Sequence, residues 1–317
     1  MIKKRKVINK KKILIVGGSG FIGINLINKL NKKKNKLFTT HFKQKKIKKI
    51  RDVTYFKGDL RKYNFCKKIT KKIDTLYMCA AVSSGARIIE ENPMTHVDDN
   101  IIMNMNVLKA ASKNGVKKFI FISSNTVYPV SNKSMAEKDM NYDLFHKYFN
   151  VGWMKIFSEK LCEMYKSKMI IIIIRPSNLY GPYDKFDKLK SKVIPSLIRK
   201  FEKDKIIEIW GDGKDYKDFL YIEDFISGLI SVTKKINKFD VVNISSGKSI
   251  SLKKIINFLI RFYKKNENDI NYNQLMPSMI PFRKIDNKKF LSLSGLKFKN
   301  TIYTGLIKTI NWYRKTY

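Results

Sequence analysis

The stretch ILIVGGSGFIG, residues 13–23, limits what this chain can fold into more than any other feature. Its four leading apolar residues show no alternation, which predicts a strand buried on both faces. Gly17, Gly20 and Gly23 follow at three-residue spacing, and a helical pattern starts at about Phe21. Glycine at such a turn lets the chain bend tightly and lets backbone N–H groups approach an anion at the positive end of the next helix. A turn that needs glycine only for its shape is the plainer explanation. The position directly after the first strand favours pyrophosphate binding, with Phe21 and Ile22 beside the glycines.

The same texture continues. KLFTTH (36–41), VTYFKGD (53–59), TLYMCAA (75–81), KFIFISS (118–124) and MIIIIIRP (169–176) read as buried strands, with helices near 100–113 and over 151–167. Strands alternating with helices predict an α/β fold, a Rossmann-type doubly wound parallel sheet. After Pro176 the chain changes to Asn-, Gly-, Pro- and Asp-rich loops between basic helices, a smaller C-terminal substrate lobe. The expected division is 1–176 as the dinucleotide-binding domain, with 218–245 returning to it, and 177–217 plus 246–317 as the substrate lobe.

An Asp or Glu at the end of the second strand would bind the ribose 2′-hydroxyl of NAD. The text there is TTHFKQKK, with no carboxylate. Thr39, His41 and Lys43 instead suit a 2′-phosphate, which favours NADP, with NAD as the alternative.

Lys and Arg number 66 against 26 Asp and Glu, a formal net charge of +40. Such an excess invites a nucleic-acid or membrane-surface role. However, it is mostly lysine spread along the whole chain, which predicts a solvated basic surface that steers anionic substrates, without dedicated nucleic-acid binding. Three cysteines without CxxC spacing and only three histidines predict neither a metal site nor a disulfide framework, and fit a reducing cytoplasm. The start, MIKKRKVINKKKILIVGG, resembles a signal peptide's basic end, but glycines break its apolar run, and MIIIII (169–174) is too short to span a bilayer. A cytoplasmic protein is expected.

Ordered blocks carry a resemblance over nearly the whole chain: GGSGFIG, GDL (58–60), CAA (79–81), NVLKAASKNGVKKFIFISSNTVYP, SEKLCEMY, RPSNLYGPYD, WGDGKDYKDFLYIEDF and FRKID. The chain resembles the extended short-chain dehydrogenase/reductases of the NAD-dependent epimerase/dehydratase family of nucleotide-sugar enzymes, and among them most the GDP-L-fucose synthases. The resemblance implies hydride transfer at the sugar C4 region, with a Ser or Thr on the 4-oxygen, a Tyr as acid/base and a Lys that lowers the Tyr pKa and holds the nicotinamide ribose. Ser124 and Lys155 match the hydroxyl and the lysine. Asp59 and Leu60 match adenine contacts, and Ala80 and Ala81 the pyrophosphate side. Ser123, Pro176, Asn178 and Leu179 fall with the cofactor-binding residues; Asn178 is also assigned to substrate. Thr126, Lys192, Val193, Leu197, Lys200, Trp210, Lys217 and Arg283 match substrate positions, with a GDP-linked sugar the leading candidate. Lys217 replaces an arginine and cannot grip a diphosphate bidentately. A homodimer through the helices around 100–113 and 151–167 is also implied.

The resemblance fails at the catalytic tyrosine, whose place four residues before Lys155 holds Val151. Thr126 and Lys192 likewise replace the Cys and His that epimerise the sugar in fucose synthases. Tyr148 is the first candidate to replace the missing acid. If the helix ran back that far, about 700° of rotation would leave Tyr148 within about 20° of Lys155's face. His146 is the second candidate, and simple loop packing the plainer explanation for Tyr148. Trp153, on the same helix, reads as a packing residue. Two functions stay open: a nucleotide-sugar enzyme with an atypical acid/base, and a catalytically inactive dinucleotide- or nucleotide-sugar-binding regulator.

Overall fold

Side chains alternate across each strand, and this alternation builds two cores from one sheet. The structure, a computed structural model, describes residues 10–31, 35–43, 49–83, 85–188, 190–276 and 280–317. The first nine residues of the basic start, and residues 44–46 of TTHFKQKK, therefore lie outside the described residues. Seven strands form the central sheet: β1 (Lys12–Val16), β2 (Lys36–His41), β3 (Val53–Lys57), β4 (Thr75–Met78), β5 (Lys118–Ile122), β6 (Ile170–Pro176) and β7 (Asp240–Ile244). Their order is β7-β6-β5-β4-β1-β2-β3, and every pair is parallel. The strand order reverses at β1, between β2 and β4, and that switch point opens the crevice in which doubly wound sheets bind ligands.

The helices are α1 (Phe21–Leu30), α2 (Tyr63–Ile69), α3 (Ala86–Glu91), α4 (Asp98–Lys113), α5 (Phe149–Met164), α6 (Val193–Lys203), α7 (Ile222–Lys235), α8 (Leu252–Tyr263), α9 (Lys288–Ser294) and α10 (Ile302–Thr316). Leu14, Val16, Phe119, Phe121, Ile171 and Ile173 point to one face, where residues of α2, α4 and α5 cover them. Ile13, Ile15, Ile120, Ile122, Ile172 and Ile174 point to the other, against α1 and α7. That second core runs on without a break into α6, α8 and α10, so the C-terminal elements share apolar packing with the sheet.

Short strand pairs tie the C-terminal part together: 178–180 with 219–221, 207–210 with 270–273, and 216–217 with 250–251. Three expected strands end early, the first of them β3, at Lys57. β4 stops at Met78 and β5 at Ile122, so Cys79–Ala81 and Ser123–Ser124 follow the strands at the carboxyl edge of the sheet.

Candidate active site

The glycine turn is shaped by contacts that admit no side chain. Gly17 takes φ +86°, and a Cβ there would lie 2.6 Å from the Ala80 Cα. Gly23 faces the Gly17 carbonyl, which a Cβ would overlap. Thr40, a residue not singled out from sequence, braces the turn. Its hydroxyl accepts from the Gly17 N–H at 2.9 Å and its carbonyl from the Gly18 N–H at 3.1 Å. α1 then starts at Phe21 with no side-chain cap and no acidic residue in its first turn. Its first N–H groups therefore have no intrahelical acceptor and face the crevice. This cradle fits the pyrophosphate of a dinucleotide.

Thr39 corrects the sequence reading. It is fully buried, its hydroxyl donates to the Ile15 carbonyl at 2.7 Å, and the side chain fills the space beneath Gly18. It shapes the turn and cannot meet a 2′-phosphate. His41 keeps its place at the strand end. Burial first, then Lys57 and Lys49, hold its pKa below the ordinary value. Lys43 Nζ sits 5.6 Å over the Phe42 ring, and the Arg61 guanidinium lies over the same ring at 5.7 Å. Arg61 grips Asp59 at 2.7 Å and Asp99 at 3.0 Å, and the hydrogen bond from Arg61 is the main cause holding the Asp59 carboxyl below its usual range. Arg61 thus brings a guanidinium to the end of β2, a cation hidden from sequence reading among so many others.

Asn100, buried on α4, clamps the chain after β4. Its amide accepts from the Val82 N–H at 2.9 Å and donates back to the Val82 carbonyl at 3.0 Å. This holds Ala80 and Ala81 against the glycine turn.

At the end of β5 the chain turns through Asn125–Val127, and the Ser124 hydroxyl caps that turn by accepting from the Thr126 N–H at 3.1 Å. The Ser124 proton has no acceptor among the described residues. Lys155, half-buried on α5, donates to the Ile122 carbonyl at 2.9 Å and lies 5.0 Å over the Phe121 ring. Burial lowers its pKa from 10.5 to about 8, although Glu159 and Cys162 act to raise it. Ser124 and Lys155 therefore converge on one strand end. Gly152 allows this approach, since a Cβ there would stand 2.8 Å from the Thr126 carbonyl.

Ser123 is the second correction. Its buried hydroxyl donates to Glu159 Oε1 at 2.5 Å, inside a polar network. Arg175 holds Glu159 with two bonds, 3.0 Å and 2.6 Å, and also donates to the Tyr128 hydroxyl at 3.0 Å, which donates on to Asn243 at 2.6 Å. The signals for this network were one arginine in a run of isoleucines and a glutamate four residues after Lys155.

Tyr148 does not lie on α5. It closes the 3-10 turn His146–Tyr148 at φ −109° and ψ 9°, so the helical phase that would align it with Lys155 does not exist. Burial pushes its hydroxyl up to about 12, and the cation acting against this is Arg283. His146, the second candidate, is exposed in the same turn.

Arg283 is 2% exposed and donates to the Pro129 and Tyr128 carbonyls at 2.8 Å and 3.2 Å, while its buried Nε has no partner among the described residues. The buried Thr126 hydroxyl is also unpartnered. Lys200 donates to the Glu208 carbonyl at 2.5 Å and lies 5.5 Å over Trp210, whose indole N–H donates to Glu208 at 3.1 Å. Lys217 is spent on Asp215 and the Ile280 carbonyl. Lys192, exposed at the start of α6, reaches over the Phe21 ring at 5.8 Å, close to the mouth of the glycine cradle. Val193 is half-buried on the next helical position. Leu60, Leu179 and Leu197 bury their side chains in the cores, so they can meet a ligand only through backbone. Pro176 is buried, and Asn178 is tied by backbone and side chain to the Asp218 carbonyl at 2.9 Å and 3.0 Å.

A glycine cradle at the switch point of a seven-stranded parallel sheet, with a serine and a lysine at the end of β5 on the same carboxyl edge, defines a Rossmann-type α/β protein of the dinucleotide-binding class. Within that class, the NAD dependent epimerase/dehydratase family matches residues 13–245, and the chain belongs to it. It is 27% identical to a GDP-L-fucose synthase of Sinorhizobium fredii over 317 residues, covering 96% of this chain and 95% of the relative. It is equally 27% identical to a GDP-L-colitose synthase of Yersinia pseudotuberculosis, covering 95% of this chain and 97% of the relative. Among solved structures, the Thermotoga maritima UDP-glucose 4-epimerase with UDP-glucose superposes with a TM-score of 0.87 at 22% identity, covering 96% of this chain and 99% of that one. A Bacillus anthracis dTDP-glucose 4,6-dehydratase in complex with NAD gives 0.82 at 22%, covering 96% and 97%.

Proposed function

We propose that this chain is a nucleotide-sugar epimerase, reductase or dehydratase that acts at the C4 region of the sugar, with NADP as cofactor and NAD as the alternative. The observation that carries the reading is the convergence of Ser124 and Lys155 on the end of β5, on the same carboxyl edge of the sheet as the glycine cradle. The names of the relatives support a GDP-linked sugar as the first substrate to try. A bound dinucleotide supplies the hydride acceptor or donor. The chain's own residues do the rest. Ser124 offers its free proton to the 4-oxygen, and Arg283, with a bare Nε–H in a buried setting, offers a charge-assisted hydrogen bond to a substrate anion. Lys192 adds positive charge at the mouth of the cradle. Lys43 and Arg61, gathered on Phe42, support the NADP preference.

The reading includes a homodimer. Ile102 and Met105 on α4, with Trp153 and Phe157 on α5, are 37–45% exposed on neighbouring helices, an apolar surface of the kind that a partner covers. It also includes a cytoplasmic site of action, supported by three free cysteines; no helix among the described residues is long and apolar enough to cross a membrane. Val151 favours a second reading, a catalytically inactive protein that binds a dinucleotide or nucleotide sugar.

Oxidation of NADPH and NADH by the purified protein, measured against a panel of 4-keto nucleotide sugars, separates the two. Turnover of at least one member is expected. Cofactor binding without turnover, in that panel and with 4-hydroxy sugars plus oxidised cofactor, would establish the binding protein instead.

A further inference from the structure

We propose that Lys155 is itself the acid/base at the sugar 4-oxygen, doing with its ammonium what a tyrosine at position 151 would do. This inference rests on the reading above. Four structural observations point to it. Val151 stands one turn before Lys155 on α5 and has no proton to give. Tyr148 is set apart in its 3-10 turn, and the cation that acts on it is Arg283. The Lys155 Nζ has three N–H donors and spends one, on the Ile122 carbonyl two residues before Ser124. Finally, no carboxylate among the described residues forms an ion pair with it, although the charge of Glu159 acts to hold the proton. Glu159, the acid one turn along α5, has both oxygens bound by Arg175 of β6 and one also by Ser123.

The groups facing the ammonium are Glu159 and Cys162 on its own helix and, on β5, the Ile122 carbonyl and the Phe121 ring. A half-buried ammonium with so few partners gives up its proton more readily than a solvated one. In the reductive direction the C4–O π bond opens, a hydride from the reduced nicotinamide dinucleotide reaches C4, and one Nζ proton goes to the oxygen. The resulting neutral amine recovers its proton from water, so charge and electrons balance. In the oxidative direction the neutral amine removes the 4-hydroxyl proton.

Two measurements test this. Trace acylation of the protein alone at a series of pH values, read on the Lys155 peptide by mass spectrometry, is expected to give a midpoint near 8. A midpoint at the ordinary lysine value would overturn the proposal whether or not the enzyme turns over. Single-turnover reduction should then hold steady at low pH and fall about tenfold per unit above that midpoint. Lys155→Arg, which keeps the charge but cannot release a proton, should slow the step by at least ~100-fold. An alkaline limb that survives in Lys155→Arg, or that disappears in Tyr148→Phe, would overturn the proposal. Absence of turnover by the wild type over the whole panel would instead sink the enzyme reading, and this proposal with it.

Discussion

Lys155 links the site to the stability of the fold. Its pKa falls from 10.5 unfolded to about 8 folded. Between those values the unfolded chain holds a proton that the folded chain releases, so this group's contribution to stability rises with pH across the window. Below about pH 8 the full burial cost is present. The shift corresponds to about 3 kcal/mol, and discounting for solvent screening of a half-buried group leaves about 1–2 kcal/mol. Lys155→Met is therefore expected to raise the unfolding free energy at pH 7 by about 1–2 kcal/mol in urea melts, and to flatten the rise above pH 8. A lysine kept at such a cost fits a chemical role better than a structural one. Thr39 and Ser123 make the opposite point. Both are polar residues at strand ends next to the crevice, and both turn inward to satisfy buried neighbours.

Among the elements, α5 does two jobs with two faces. Gly152, Lys155 and Glu159 face the end of β5 and the buried network, while Trp153 and Phe157 face outward. Trp153 was expected to pack inside; it is 37% exposed and instead stacks on Tyr142 at 5.1 Å and meets Phe149 edge-on at 6.1 Å. If the outer face joins Ile102 and Met105 of α4 against a second copy, Met105→Glu with Phe157→Glu should yield a monomer in sedimentation velocity, with unchanged far-UV circular dichroism. A dimer that survives both changes would place the interface elsewhere.

The whole molecule is dominated by its charge of +40. Few of the described lysines meet an acid, so most of this charge repels itself across the surface. Raising sodium chloride from about 0.05 M to about 0.5 M shortens the screening length severalfold and is expected to raise the thermal midpoint by a few degrees. A midpoint that falls with salt would show that specific ion pairs outweigh the general repulsion.

Strands β1 to β6 and helices α1, α4 and α5 were legible from the chain alone, because apolar runs and glycine spacing are local signals that few other arrangements accommodate. Gly17 sits at the end of such a run, whereas Ser124 and Lys155 entered through the family resemblance. Side-chain direction was not. Whether Thr39 faces a ligand or the Ile15 carbonyl depends on Gly18 packing above it. Whether Tyr148 lies on the helix depends on φ and ψ at a single junction. The pairing of Glu159 with Arg175 and the placement of Arg283 beside Tyr148 join residues 16 and 135 positions apart. Local pattern fixes which face of an element is apolar. Only the packed tertiary structure decides which polar groups meet, because each buried donor must find its acceptor among residues that the chain brings together from far apart.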